Sequence, residues 1–232
     1  MMKYPFTEVP IDREEELELV KTALDAIING KATRATVLEF YGLAGIGKTI
    51  LLQENKRQCR EANVPFAFAD LAGMGTMEEG APARLVDHLM HQLEVQSFPL
   101  PTRLSVARDV FWRERAKPSG PKDPRLQTLT QEFVHYLEKV LTRPQPIALI
   151  LDTTDACHEG FLLWLSRDVL GPLINNGTLL GIFAGRACVD EWDPEIKRMR
   201  QKYPLRPFTV EETEAHLQHL PKGAKYAPAA PE

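Results

Sequence analysis

Apolar positions along the chain fall into two spacings, and each spacing predicts a different element. Leu17, Val20, Leu24 and Ile27 recur every three or four residues, which predicts a helix; Asp12 would be its N-cap, Glu15 the capping-box partner and Asn29-Gly30 the stop. Short apolar runs at Val37-Leu38 with Phe40, at Val64 to Leu71, at Ile147 to Asp152 and at Thr178 to Gly185 predict buried strands instead. Helical spacing returns over 48–62, over 82–95 (Leu85, Leu89, Leu93), over 105–115, over 126–141 (Leu129, Phe133, Leu137) and over 161–170. Tyr203 to Phe208 carries Pro204 and Pro207, which predicts an edge strand. Thr209 with Glu212 caps a last predicted helix over 210–220. Residues 1–11 form an extended lead-in, 73–80 and 117–124 are loops, and the Ala/Pro/Lys-rich tail 221–232 is expected to be disordered.

Strands alternating with helices predict an α/β fold with a mostly parallel sheet covered on both faces. Residues 72–146 hold only helical patterns, so a helical insertion is expected between the second and third strands. The expected division is an N-terminal lead-in and helix (1–34), an α/β core (35–209), and a C-terminal helix with its tail (210–232).

The chemistry concentrates where the first strand meets the next helix, at Gly42-Leu43-Ala44-Gly45-Ile46-Gly47-Lys48-Thr49 followed by Ile50. Gly-x-x-x-x-Gly-Lys-Thr between a strand and a helix is a phosphate-binding pattern with a clear mechanism. Glycines let the backbone bring its N–H groups onto phosphate oxygens, and the helix N-terminus adds partial positive charge. Lys48 is placed to reach the β- and γ-phosphates and the Thr49 hydroxyl to hold Mg²⁺. Such a site needs a carboxylate on another strand end, and Asp152 closes the apolar run 147–151. Asp155 is a candidate to orient water beside a γ-phosphate, with a helix N-cap as its plainer alternative. Arg186 ends the strand 178–185 at the edge where ligands sit in open sheets; it could contact a γ-phosphate or form a surface ion pair.

Composition narrows the classes. A hydrophobic fraction of 44%, a charged fraction of 26% and a net charge of −4 suit a globular protein without a general basic field, so nucleic acid is an unlikely partner. The widely spaced Cys59, Cys157 and Cys188 indicate neither a disulfide framework nor a zinc site. No apolar run approaches membrane-spanning length, no membrane partner is expected, and the cytoplasm is the expected location. His88 with His91, and His216 with His219, lack further ligands for a metal; the basic run 197–202 reads as a solvated helix face; Trp112, Trp164 and Trp192 read as core or interface.

Four blocks in order carry a resemblance: Gly42 to Thr49, Leu149-Ile-Leu-Asp-Thr-Thr-Asp155, Leu180-Gly-Ile-Phe-Ala-Gly-Arg186 and Leu205-Arg-Pro-Phe-Thr-Val-Glu-Glu212. Together with Ile11-Asp-Arg-Glu-Glu-Glu-Leu17, they resemble the STAND class of signalling P-loop ATPases, which includes NACHT- and NB-ARC-like nucleotide-binding domains. The bacterial members carry "LDTYE" at the magnesium strand and "AGR" at the sensor strand. The resemblance implies a three-layer P-loop NTPase fold with sheet order 2-3-4-1-5. It implies Arg13 beside the adenine, Asp152 serving Mg²⁺, Asp155 in the place of the class's glutamate, and Arg186 as sensor. It further implies an ATP/ADP switch, closed with ADP and assembling with ATP, working with protein partners or through self-assembly. Asp12 stands where the class's lead-in has glycine, and Asp155 is shorter than glutamate, so slow hydrolysis is expected. The winged-helix and repeat domains that usually follow are not expected within these residues. Two alternatives stay open, a nucleotide-binding scaffold without turnover and a DNA-associated ATPase of the initiator or loader kind.

Overall fold

The computed structural model describes residues 13–30, 36–74, 80–96, 98–113, 123–141, 146–174 and 179–210. The expected lead-in, the Asp12 cap, most of both expected loops, the helix beyond Val210 and the tail lie outside the described residues. The strands are β1 (Thr36–Tyr41), β2 (Phe66–Asp70), β3 (Ile147–Asp152), β4 (Leu179–Gly185) and β5 (Arg200–Pro204). They run parallel in the order β2-β3-β4-β1-β5, as the resemblance implies. The longer helices are α1 (Glu14–Ile28), α2 (Lys48–Glu61), α3 (Ala81–Val95), α4 (Thr102–Arg113) and α5 (Pro124–Leu141). The shorter ones are α6 (Glu159–Trp164), α7 (Gly171–Ile174) and α8 (Pro194–Met199).

Alternation along the strands sorts side chains to two faces. Leu38, Phe40, Ile150, Leu180 and Ile182 face α1 and α2 through Val20, Leu24, Leu51 and Leu52. Val37, Ala67, Leu149, Leu151 and Phe183 face the other layer, where the helical insertion packs through Leu85, Leu89, Leu129 and Phe133. The central strands β3 and β4 are buried along their whole length. This is the α/β P-loop NTPase fold.

Several details differ from the sequence reading. The helix expected over 161–170 begins at Glu159 and continues through a π-helical stretch, Leu165–Leu170, into α7. The edge strand is Arg200–Pro204 rather than 203–208: it pairs in register with Val37 to Tyr41 and ends at the first of the two prolines, where a backbone donor is lost. The basic run is therefore not one solvated helix face. Lys197 and Arg198 end α8, whereas the Arg200 side chain is only 3% exposed and pairs with Glu39.

The opposite edge is closed by side chains. Helix α3 lies against β2 and its glutamines pair with that strand's free backbone. Phe66 N–H donates to Gln96 Oε1 at 3.1 Å, and Gln96 Nε2 donates to Phe66 O at 2.6 Å. Phe68 N–H donates to Gln92 Oε1 at 2.9 Å, Gln92 Nε2 returns a bond to Phe68 O, and His88 Nε2 lies 3.0 Å from the same carbonyl. The match is geometric: four helical residues rise about 6 Å, close to the roughly 6.6 Å of two strand residues, so Gln92 and Gln96 meet Phe68 and Phe66 in turn. Each carboxamide supplies the donor and acceptor that a neighbouring strand would. An unpaired edge invites pairing with another chain, and α3 removes that opportunity.

Replacing both glutamines by leucine removes four hydrogen bonds from the backbone of Phe66 and Phe68 and leaves only the His88 contact at Phe68 O. The expected outcome for the Gln92→Leu/Gln96→Leu protein is a loss of about 2–4 kcal/mol in chemical denaturation, at about 1 kcal/mol per lost bond, with concentration-dependent self-association in light scattering. A monomer of unchanged stability would show that the pairing contributes nothing.

Candidate nucleotide-binding site

Strand β1 ends at Tyr41, and the next residue is fastened to β4, with Gly42 N–H donating to Gly185 O at 3.2 Å. A Cβ at Gly42 would stand 3.1 Å from Leu205 O, a tight approach to the backbone of the segment after β5. Gly45 and Gly47 hold φ of +78° and +94°, conformations closed to most side chains. Gly47 is the N-cap of α2, so the loop delivers its backbone to the positive end of a 14-residue helix. Of the apolar loop residues, Ile46 is buried as an anchor, while Leu43 at 71% and Ile50 at 45% exposure face outward. Ile46 therefore serves the site only through its backbone.

Lys48 folds back over the loop, its Nζ donating to Gly42 O at 2.6 Å and Leu43 O at 2.8 Å. Partial burial lowers its pKa from the usual lysine range, Asp152 and Asp155 push it up, and Arg186 pushes it down. The charges of Asp152, Asp155 and Arg186 therefore all act on this ammonium. Thr49 Oγ1 donates to Asp152 Oδ2 at 2.8 Å, and Thr153 N–H donates to Asp152 Oδ1 at 2.9 Å. Burial raises the Asp152 carboxyl above the ordinary carboxylate range and Asp70 adds to the rise, against the bonds from Thr49 and Thr153 and the charge of Lys48. A hydroxyl and a carboxylate converging this closely are hard oxygen donors of the kind Mg²⁺ takes, so this pair fits the ion.

Asp155 sits in the short turn Thr154–Ala156, and its Oδ1 accepts the Arg186 backbone N–H at 2.8 Å. It does not cap the following helix, because His158 Nδ1 accepts from Gly160 N–H and takes that role. The Arg186 and Asp155 side chains are exposed at the carboxyl edge of β3 and β4. Arg13 is only 2% exposed, and its guanidinium donates to Ile46 O at 2.9 Å and Arg206 O at 2.8 Å while lying 4.4 Å from the centre of the Phe208 ring. It ties the start of α1 to the phosphate loop and to the segment after β5.

Two residues of the site escaped the sequence reading. Asp70 ends β2 in register with Asp152, and its Oδ1 accepts from Thr153 Oγ1 at 3.0 Å. The signal was available, since Phe66 to Asp70 is an apolar run closed by an acid, like Ile147 to Asp152. Thr153 holds φ +59°, a conformation that β-branched residues rarely adopt, and sequence spacing gives no sign of it. Among the described residues there is no cluster of three metal-ligating side chains, and no helix is long and apolar enough to cross a membrane.

No sequence-family profile matches the chain, and no curated protein matches it in sequence. Solved structures do resemble it in fold. The Cdc6p protein of Pyrobaculum aerophilum superposes with a TM-score of 0.61 at 15% identity, over 96% of this chain and 54% of that one. The Aeropyrum pernix ORC2 protein, solved as ADPNP–ADP complexes, gives 0.58 at 15% identity over 92% of this chain and 54% of its own. The Aeropyrum pernix ORC1 protein, solved with DNA, gives 0.55 at 16% identity over 92% and 50%. The chain thus spans about half the length of these structures. At these identities the likeness is one of fold.

Gly185 makes the closest test of the site's construction. A Cβ there would lie 2.8 Å from Asp155 Oδ1, 3.0 Å from Thr154 Oγ1 and 3.1 Å from Ala187 O. Gly185→Ala is expected to displace the Asp155 carboxylate from the Arg186 amide and to cost about 1–3 kcal/mol, as overpacking does. Denaturant titration checks the cost, and the Arg186 amide resonance checks the displacement.

Proposed function

We propose that the chain binds Mg-ATP and Mg-ADP and hydrolyses ATP slowly as a conformational switch of the STAND kind. The observation that carries this reading is the 2.8 Å bond between Thr49 and Asp152 at the mouth of a glycine loop whose lysine feels the charges of Asp155 and Arg186. In the bound state, backbone N–H groups of residues 42–49 hold the phosphates, and Lys48 exchanges its two loop carbonyls for β- and γ-oxygens. Thr49 and Asp152 hold Mg²⁺, which supplies charge neutralisation on the phosphates. The free oxygen of Asp155 orients the attacking water, while its other oxygen stays on the Arg186 amide. Arg186 meets the γ-phosphate, so ATP and ADP are distinguished at this one side chain. Arg13 acts by fixing the loop's backbone, with a base contact possible only beside its buried guanidinium.

A second reading is favoured by one observation. One of the structures similar in fold was solved with DNA, so a DNA-associated ATPase competes with the signalling switch despite the net charge of −4. It predicts turnover stimulated by DNA and binding that weakens steeply with salt. Salt-insensitive turnover without a DNA effect favours the switch.

The first test is nucleotide retention and phosphate release on the purified protein beside Lys48→Ala. Lysine-to-phosphate bonds are charge-assisted and worth about 1.5–3 kcal/mol, so Lys48→Ala is expected to weaken binding roughly 10- to 100-fold and abolish turnover. No binding by the folded wild type would end this reading.

Acidity gives a second test. Because burial holds the Asp152 carboxyl high, it protonates earlier on acidification than an exposed carboxylate, and a protonated acid no longer serves Mg²⁺. Magnesium-dependent binding should therefore fall on acidification. The sign for folding is opposite: a folded pKa above the unfolded one means that protonation of Asp152 favours the folded state. Asp152→Asn is expected to fold at least as stably and to lose magnesium dependence, read by titration with and without EDTA.

A further inference from the structure

The central strand β1 carries a carboxylate into the interior that no phosphate chemistry requires. Glu39 is fully buried on the sheet face covered by α8, and Arg200 of β5 lies 3.0 Å from its Oε2. Both side chains also grip the loop that leaves β4. Val189 N–H donates to Glu39 Oε1 at 3.2 Å, and Arg200 Nη1 donates to Val189 O. The two ions thus hold both polar groups of one peptide residue, three positions after Arg186. The loop is fixed at its other ends as well, by the Arg186 N–H on Asp155 and by Asp193 N–H donating to Ser166 Oγ at 3.2 Å.

The ion pair is an expensive means of stabilisation. Burying two charges is repaid only by good geometry and full hydrogen bonding, and an apolar pair of similar volume often does as well or better. Here the geometry is incomplete, because Arg200 Nε is buried without a hydrogen-bond partner among the described residues. What an apolar pair cannot reproduce is the hold on Val189. Phe183 and Trp192, stacked with ring centres 5.2 Å apart, and Ile196 pack the same region and would accept apolar replacements.

We propose that Glu39 and Arg200 are positioning residues: their grip on Val189 sets the Arg186 loop against Asp155, and through it the discrimination between ATP and ADP. The inference rests on the reading of Arg186 as the group that meets the γ-phosphate. The pair lies on β1 and β5, so the edge strand and α8 before it share one rigid unit with the sensor loop. A movement of β5 against β1 would change what Arg186 reports, with no ligand contact at either strand.

The test separates position from stability. Glu39→Gln and Arg200→Met each strand one partner of a buried pair and are expected to destabilise the fold. Glu39→Leu combined with Arg200→Met removes both charges, and is expected to regain stability near that of the wild type. In that double variant ADP affinity should hold, the preference for a non-hydrolysable ATP analogue over ADP should fall about tenfold, the size of one charge-assisted bond, and the Arg186 amide should exchange about tenfold faster in NMR-detected exchange. An unchanged Arg186 amide in a stable double variant overturns the inference, whatever nucleotide does. Arg186→Ala provides the comparison: if it leaves the ATP-to-ADP preference intact, the sensor role is wrong, and the exchange measurement alone decides the positioning. Should the double variant fail to fold, Arg200→Lys keeps the charge on Glu39 and loses the forked reach to Val189. It is then expected to show the same loss of preference, and an unaltered preference and Arg186 amide would overturn the inference.

Discussion

The hydrogen bond between Thr49 and Asp152 joins elements that the sheet keeps apart, since β4 lies between β1 and β3. Helix α2 must cross from the end of β1 over β4 to bring its first turn to the end of β3. Everything needed for that crossing is fixed elsewhere. Left-handed glycines at 45 and 47 turn the chain, Leu51 and Leu52 seat the helix on Ile150 and Ile182, and Arg13 braces Ile46 from beneath. A hydroxyl and a carboxylate meeting at 2.8 Å are the visible result of a packing arrangement that begins in the core. The same arrangement leaves Lys48 within the electrostatic influence of Asp155 and Arg186.

Much of this was legible in the chain. The strands β3 and β4 are buried on both faces and therefore appear as uninterrupted apolar runs, whose ends named Asp152 and Arg186. The glycine-lysine-threonine spacing named the loop, because each of its residue types has a local backbone or chemical reason. What stayed hidden depends on contacts distant in sequence. Nothing near Gln92 or Gln96 says that their carboxamides will pair with Phe66 and Phe68, because polar helix positions usually face water. Arg200 lay in a run of exposed-looking bases, and only its register beside β1 brings it to Glu39. The left-handed Thr153 shows no sequence sign either, since its conformation is imposed by the groups around it.

Asp155 illustrates how one residue can satisfy a motif and still be more than the motif says. Its position in the sequence nominates it for chemistry on water. Its place in the fold gives it a structural bond to Arg186 as well, beneath a glycine that leaves no room for a side chain. A carboxylate with one oxygen committed and one free holds two parts of a site in a fixed relation. The same economy appears in Glu39, where one carboxylate meets both a guanidinium and a backbone amide.

The pairing of β1 has a consequence for how the chain is made. Both neighbours of the strand that precedes the phosphate loop, β4 and β5, lie near the far end of the described sequence. During synthesis the loop therefore emerges early and waits, next to a strand with no partner, while the helical insertion and β3 follow it out of the ribosome. Long-range parallel pairing of this kind is slow and leaves hydrophobic strands open meanwhile. Helix α3 follows β2 closely in the chain, so the bonds from Gln92 and Gln96 that close this edge require no later element. Nascent chains stalled before β4 would hold the full glycine motif and yet lack the sheet that gives it shape.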